Sequence, residues 1–383
     1  MTVIPEIENM QREAVLWRHE FHANPELRFD LPRTSARVAE LLRSFGCDEV
    51  TQGVGQSGVV AVIKGREPGN RPIGLRADMD ALPISEMTNV PYSSGISGKM
   101  HACGHDGHTT MLLMAARHLA QSRAFSGSAV LIFQPAEEDG GGAKAMIADG
   151  LFNRWPVDEV YALHNMPAMA VGSFAIRPGP LMAAADMFEI RLLGQGGHAA
   201  QPHLCVDSVM AAGHVLVALQ TLVARSVDPL QSAVVSVGKL STDSAGACVL
   251  PGVVTLNGTV RSFVPSVQDL LEDRLCTLVH GIAQTHGATA EIRYDREAKA
   301  TVNAPDQTRF AVSVARTISS EVDETTPQVM VSEDFSEMLA LRPGAFIFIG
   351  NGPSAPLHHP AYDFNDAALP FGASWLAGLV MAR

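Results

Sequence analysis

"GSAVLIFQPAEEDGGGAKAMIADGLF", residues 127–152, is the stretch on which the fold turns. An apolar, β-prone run ends abruptly at Gln134-Pro135, two glutamates and an aspartate follow, and "GGAKAMIADGLF" then takes up a helical period. A strand closing in polar residues and feeding a helix is the repeating unit of an α/β domain. In open α/β sheets the chemistry lies just beyond the carboxyl ends of the strands. Glu137 and Glu138 stand at such a place.

The same pattern recurs on both sides. "GVVAVIKG" (58–65), "PIGLRAD" (72–78), "EVYALHNMP" (159–167) and "GAFIFIG" (344–350) read as further strands. "TSARVAELLRSFG" (34–46), "TTMLLMAARHLAQS" (109–122) and "RFAVSVARTISSEV" (309–322) read as helices. The first of these has Thr34 or Ser35 as its N-cap and Gly46 just past its end. An amphipathic N-terminal helix should break at Asn24-Pro25, and "ALPFGASWLAGLVMA" (368–382) is expected as a buried terminal helix. The pattern changes at residue 186. Strand, helix, two strands able to pair as a hairpin, helix and strand follow between 186 and 296, the ferredoxin-like order. A large, mostly parallel α/β domain (1–185 and 297–383) is therefore expected to be interrupted by a smaller inserted domain (186–296).

Bulk properties narrow the function. The 383 residues exceed what one core usually serves, and the formal charge of −12, with no lysine or arginine cluster, opposes nucleic-acid binding. The N-terminus lacks a secretory pattern, and no apolar stretch is read as long enough to cross a membrane. Five scattered cysteines form no disulfide framework, which points to the cytoplasm.

Five polar clusters sit at or just beyond expected strand ends: Arg76-Ala77-Asp78-Met79-Asp80, Cys103 with His105, Glu137-Glu138, His164, and "LHHP" at 357–360. Thiolate, imidazole and carboxylate together form a borderline donor set suited to Zn²⁺ and also used with Mn²⁺, Ni²⁺ or Co²⁺. Cys103 and His105, two apart in a turning segment, can converge on one ion. Adjacent glutamates repel unless a cation relieves them, and they can divide the work, one as ligand and one as general base toward a water. Taken singly, each cluster has a bland explanation. His118, His203, His214, His280 and His286 lie away from the clusters and are read as structural, as are His19 and His22. His101, Asp106 and His108 are read as orienting ligands. "GQGGHAAQPH" (194–203) lacks the strand-turn-helix setting of a dinucleotide loop, and no Gly-x-Ser-x-Gly elbow occurs.

In order along the chain, "HANPEL", "LRADMDALPI", "MHACGHDGHTTMLL", "FQPAEEDGGGAKAMI", "GQGGHAAQPH", "GTVRSF", "SEDFS" and "LHHPAYDFND" resemble the motifs of one family from about residue 15 onward. This is the amidohydrolase branch of the dinuclear-metal aminoacylase and carboxypeptidase superfamily, with its hippurate hydrolases, indoleacetyl-amino-acid hydrolases and N-acetyldiaminopimelate deacetylases. The resemblance implies one or two divalent ions (Mn, Zn, Ni or Co) on Cys103, His105, Glu138, His164 and His358, with Glu137 as general base. It makes Asp78 and Asp80 supporting residues and the inserted domain a lid that also forms a homodimer or homotetramer. His198 would stabilise the oxyanion and Arg261 would bind the substrate carboxylate. One departure stands out: Cys248, in "ACVLPG", occupies a position where the family usually has asparagine. The implied reaction is amide hydrolysis of N-acyl amino acids to a carboxylic acid and a free amino acid. A dipeptidase or aminopeptidase on the same scaffold is the alternative.

Overall fold

The computed structural model describes residues 2–69, 71–139 and 141–383. The chain divides into two compact units, one of residues Met1–Leu181, Thr301–Pro327 and Asp334–Arg383, the other of Met182–Ala300 with Gln328–Glu333. The second is thus slightly wider than 186–296 and also takes up the return segment 328–333, which no sequence pattern marks.

The first unit is built on an eight-stranded sheet. Its order is Glu49–Val54, Gly58–Lys64, Ser128–Gln134, Ile73–Asp78, Glu159–Pro167, Gly344–Gly352, Phe174–Ala175 and Val322–Asp323. The four central strands run parallel, and antiparallel pairings appear toward the margins. Ile73–Asp78 and Gly344–Gly352 are buried at every position, as strands covered on both faces must be. The register pairs Asp78 with Gln134, so these strands end side by side.

Helices Gln11–Ala23, Pro32–Phe45, His105–Ser122, Pro305–Ile318 and Leu369–Met381 contribute to one continuous core with the sheet. Two expectations are corrected. Pro32–Phe45 opens with Pro32 in its first turn, and the Glu26 carboxylate accepts from the N–H groups of Arg33 and Thr34, so Thr34 and Ser35 lie inside it and are buried. Proline needs no partner for an N–H there, and Glu26 takes the place of the expected cap. Gly46 does end the helix, at φ 85°. The helix expected from Thr109 begins at His105, because Gly104 in the left-handed region (φ 92°) turns the chain into it.

In the second unit, strands Ala184–Leu193, Ala233–Thr242, Val253–Ser262 and Thr289–Ala298 form an antiparallel sheet. The last of these and Val253–Ser262 flank the first, and Ala233–Thr242 lies at the outer edge beside Val253–Ser262. Helices Ser208–Thr221 and Pro265–Thr285 share its core. Asp207 caps the former, accepting from the N–H groups of Val209 and Met210. With the turns that follow it, Ser208–Ser226 is 19 residues long and apolar enough by length and composition to cross a membrane, which corrects the sequence expectation. Ala211, Ala212, Val215, Leu219 and Leu222 are buried in this unit's core, as in a core helix. Val209, Met210 and Val217 stay exposed.

Candidate functional site

At the carboxyl ends of the parallel strands, six of the expected residues come together. Cys103 Sγ lies 3.4 Å from His164 Nε2. His105 Nε2 is 3.8 Å from Glu138 Oε1 and 4.0 Å from Glu137 Oε2. His358 Nε2 is 3.3 Å from Glu138 Oε2. Among the donor groups whose atoms lie within 4.8 Å of one another are Cys103–His105–His164, Cys103–Glu138–His358, His105–Glu137–Glu138 and Asp78–His105–His108. They share members, so they form one cluster. Cys103, His105 and His164 are buried, while the His358 side chain is half exposed and marks the open side.

Local backbone explains the convergence. Ala136 is held at φ 51°, unusual for a residue with a Cβ, and it turns the chain at the strand end so that Glu137 and Glu138 follow immediately. Asp80 then fixes them: its Oδ1 accepts from the Glu137 N–H at 3.0 Å and its Oδ2 from the Glu138 N–H at 3.2 Å. Asp80 Oδ1 also stands 3.5 Å from His105 Nδ1, so one carboxylate spans both ligand segments. His358, at φ 63°, is tied back by its N–H to the Ala102 carbonyl at 2.8 Å.

Asp78 borders the cluster, its Oδ2 3.7 Å from His105 Nε2, but its hydrogen bonds run to its other neighbours. Its Oδ1 pairs with His108 Nδ1 at 2.7 Å and its Oδ2 accepts from Arg76 at 2.8 Å. His108 Nε2 faces the N–H and the side-chain amide of Asn165, both at 3.0 Å, and so acts as acceptor there while Nδ1–H donates to Asp78. Both nitrogens are spent, and His108 is a support. His164 is oriented likewise: Nδ1–H donates to the Asn165 carbonyl at 2.7 Å, leaving the Nε2 lone pair toward Cys103.

The electrostatics describe a pocket with too much negative charge. Burial raises the Cys103 thiol, and Glu138, Glu137 and Asp78 raise it further, well above the ordinary range. Burial alone would lower His105, yet Asp78, Glu138 and Asp80 outweigh it and push the imidazole up to about 10. Neither ring nitrogen of His105 and not Glu138 Oε1 makes a hydrogen bond, although all three are buried. Buried polar atoms without partners beside surplus carboxylates are what a divalent cation would satisfy, and thiol, imidazole and carboxylate suit such an ion.

Asn165 and Tyr362 escaped sequence reading. Asn165 Nδ2 donates to the Cys103 carbonyl at 2.6 Å, and Tyr362 Oη donates to Asn165 Oδ1 at 2.5 Å. Their one sequence signal is adjacency to His164 and to the 357–366 motif. His198 and Arg261 lie in the second unit. His198 pairs with Val249 in a two-residue ladder, and Cys248 accepts from the Ala199 N–H beside it. The Arg261 guanidinium donates to Thr259 Oγ1 and the Val260 carbonyl, and no carboxylate lies within ion-pair distance of it among the described residues.

Known proteins place the chain. It is 42% identical to the hippurate hydrolase of Campylobacter jejuni, over 100% of this chain and 99% of that one. It is 38% identical to thermostable carboxypeptidase 2 of Saccharolobus solfataricus, over 97% of each. Its structure resembles that of the Bacillus subtilis YXEP protein, described as a dinuclear metal binding peptidase from the M20 family, with a TM-score of 0.86 at 31% identity over 98% of both chains. Residues 74–382 match the profile of Peptidase family M20/M25/M40. With most of its length matched and full-length relatives above 30% identity, the chain belongs to Peptidase family M20/M25/M40.

Proposed function

We propose that this protein hydrolyses the amide bond of N-acyl amino acids, of the hippurate or N-acetyl kind, to a carboxylic acid and a free amino acid. The observation that carries this is the convergence of Cys103, His105, Glu138, His164 and His358 with Glu137 beside them. Full-length similarity to a hippurate hydrolase supports the substrate class.

In this reading Cys103, His105, Glu138, His164 and His358 hold one or two divalent ions (Mn, Zn, Ni or Co). When bound, the ions supply Lewis acidity, polarising the amide carbonyl and acidifying a water. Glu137 takes a proton from the attacking water at a carboxylate oxygen and returns it to the leaving nitrogen. Asp80 holds that carboxylate in register through the Glu137 and Glu138 N–H groups. His198 is assigned to the developing oxyanion and Arg261 to the substrate carboxylate, a task that suits a bidentate guanidinium without an acidic partner. Residues 182–300 serve as lid and as the surface for a homodimer or homotetramer, which the exposed Val209, Met210 and Val217 support. The five free cysteines accord with a reducing cytoplasm.

The test is glycine release from hippurate by chelator-stripped protein, with and without Mn²⁺, Zn²⁺, Ni²⁺ or Co²⁺. Ion-restored release is expected; no release from hippurate or any N-acetyl amino acid with any ion refutes the substrate class. Glu137→Gln should keep its ions and lose about 10²–10⁴-fold in turnover. Full activity in that variant removes Glu137 from its role. A peptidase on the same scaffold is the second reading, favoured by the 38% identity to a carboxypeptidase. Comparing peptides with acylated amino acids in one assay separates the two.

A further inference from the structure

The polar cluster beneath the site belongs to no step above. Asp106, next to His105, is buried, yet its side chain caps nothing in its own helix. Its Oδ2 instead accepts from His22 Nδ1 at 2.8 Å and from an Arg18 terminal nitrogen at 3.1 Å. Both come from the helix Gln11–Ala23. His22 Nε2 reaches Glu86 at 3.3 Å. Arg18 is buried with its guanidinium 4.4 Å from the Tyr92 ring centre, and its Nε pairs with Asp366 at 2.5 Å.

The segment these residues grip has no regular structure of its own. Met100 pairs with Leu82 through a single bridge, and residues 101–104 belong to neither helix nor strand. Between Cys103 and His105 stands Gly104 at φ 92°, where no side chain restricts the turn. The anchoring of Asp106 therefore adds to the Asn165, His358 and Asp80 contacts in setting how the Cys103 and His105 side chains meet. The same anchor reaches Asp366, in the motif that carries His358.

We propose that Arg18 and His22 are positioning residues that set the ion affinity of the Cys103–His105 pair by gripping Asp106. The proposal rests on the reading that Cys103 and His105 hold an ion. Removing a support of this kind typically costs about 10–100-fold in metal affinity.

Two amide substitutions separate this grip from simple packing. His22→Asn keeps a donor where Nδ1 stands, toward Asp106, and gives up Glu86. His22→Gln keeps a donor where Nε2 stands, toward Glu86, and gives up Asp106. Chelator-stripped full-length proteins are titrated with Co²⁺ against a chromophoric chelator, and the thiolate-to-cobalt charge-transfer band is recorded. The expected result is Co²⁺ affinity and band intensity close to wild type for His22→Asn, with at least tenfold weaker binding and a weakened band for His22→Gln. Equal affinities in both variants, unchanged or equally lowered, overturn the proposal. Should His22→Gln not fold, Arg18→Lys is read in the same titration; it keeps the charge but loses the planar fork shared by Asp106 and Asp366, and an unchanged affinity overturns the proposal. Wild-type protein showing no thiolate–cobalt band refutes the ion-binding reading itself, an outcome distinct from any difference among variants.

Discussion

Substituting Gly104 by alanine is the sharpest test of how the cluster is held. Gly104 sits at φ 92°, and a Cβ there would fall 2.3 Å from Asn165 Nδ2 and 2.6 Å from Tyr362 Oη. Neither atom is free to retreat. Asn165 Nδ2 serves the Cys103 carbonyl, and Tyr362 Oη serves Asn165 Oδ1, both side chains being fully buried. Three costs combine: the left-handed backbone, overpacking, and at least one broken buried hydrogen bond. Reduced unfolded-state entropy offsets a little, leaving a loss of about 3–6 kcal/mol. Gly98 is the control. It has φ 77° with nothing within 4 Å of an added Cβ, so Gly98→Ala should show the backbone cost alone, about 1–2 kcal/mol. All three tryptophans, Trp17, Trp155 and Trp375, lie in the first unit, so their fluorescence in urea follows that unit. The expected midpoint drop for Gly104→Ala is about 1–2 M, at a slope near 3 kcal/mol/M. A drop no larger than that of Gly98→Ala would refute the crowding argument.

His22 gives stability a pH signature. Burial would lower its pKa, but Asp106 and Glu86 overcome this and push it up to about 9. A raised folded-state pKa contributes stability that is complete below about 6.5 and lost as pH rises through about 9, here about 3 kcal/mol. His105, raised likewise, titrates over an overlapping range in both proteins, so urea midpoints for wild type should fall more steeply over that window than those for His22→Asn; parallel profiles contradict the assignment. Arg76 is buried and bridges Asp78, Gln134 and Asp334, so Arg76→Leu strands buried carboxylate charge and should cost about 3–5 kcal/mol by the same assay. Arg261→Ala should raise KM for hippurate about 10–100-fold, the value of one charge-assisted pair, with a smaller change in kcat. An unaltered KM removes it from carboxylate recognition.

Much of this was legible in the sequence wherever a pattern is local. Strands such as Glu159–Pro167 announce themselves by apolar runs ending in polar residues, and the β-α-β-β-α-β order of the second unit follows from alternating periods. Two-residue strands such as Phe174–Ala175 and Val322–Asp323 leave no period to read. From sequence alone His105 reads as part of a turning segment, because Gly104 and the histidines around it mask the helix they begin. The grip on Asp106 was hidden for another reason. Its partners lie 84 and 88 positions away, and "WRHEFH" alone does not say which of its polar residues are buried. The separation between Arg18 and Asp366 puts their ion pair beyond any local reading.

The place of Gly344–Gly352 in the sheet bears on how the chain is made. That strand sits between Glu159–Pro167 and Phe174–Ala175, yet it leaves the ribosome only after all of residues 182–300. Throughout that interval the long parallel strand Glu159–Pro167 has one edge without its eventual neighbour, which is the kind of surface that pairs promiscuously. Loop closure across so long an insertion makes the last step of assembly slow. Stalling synthesis before this strand is free of the ribosome should therefore lengthen the exposure of that edge and promote aggregation.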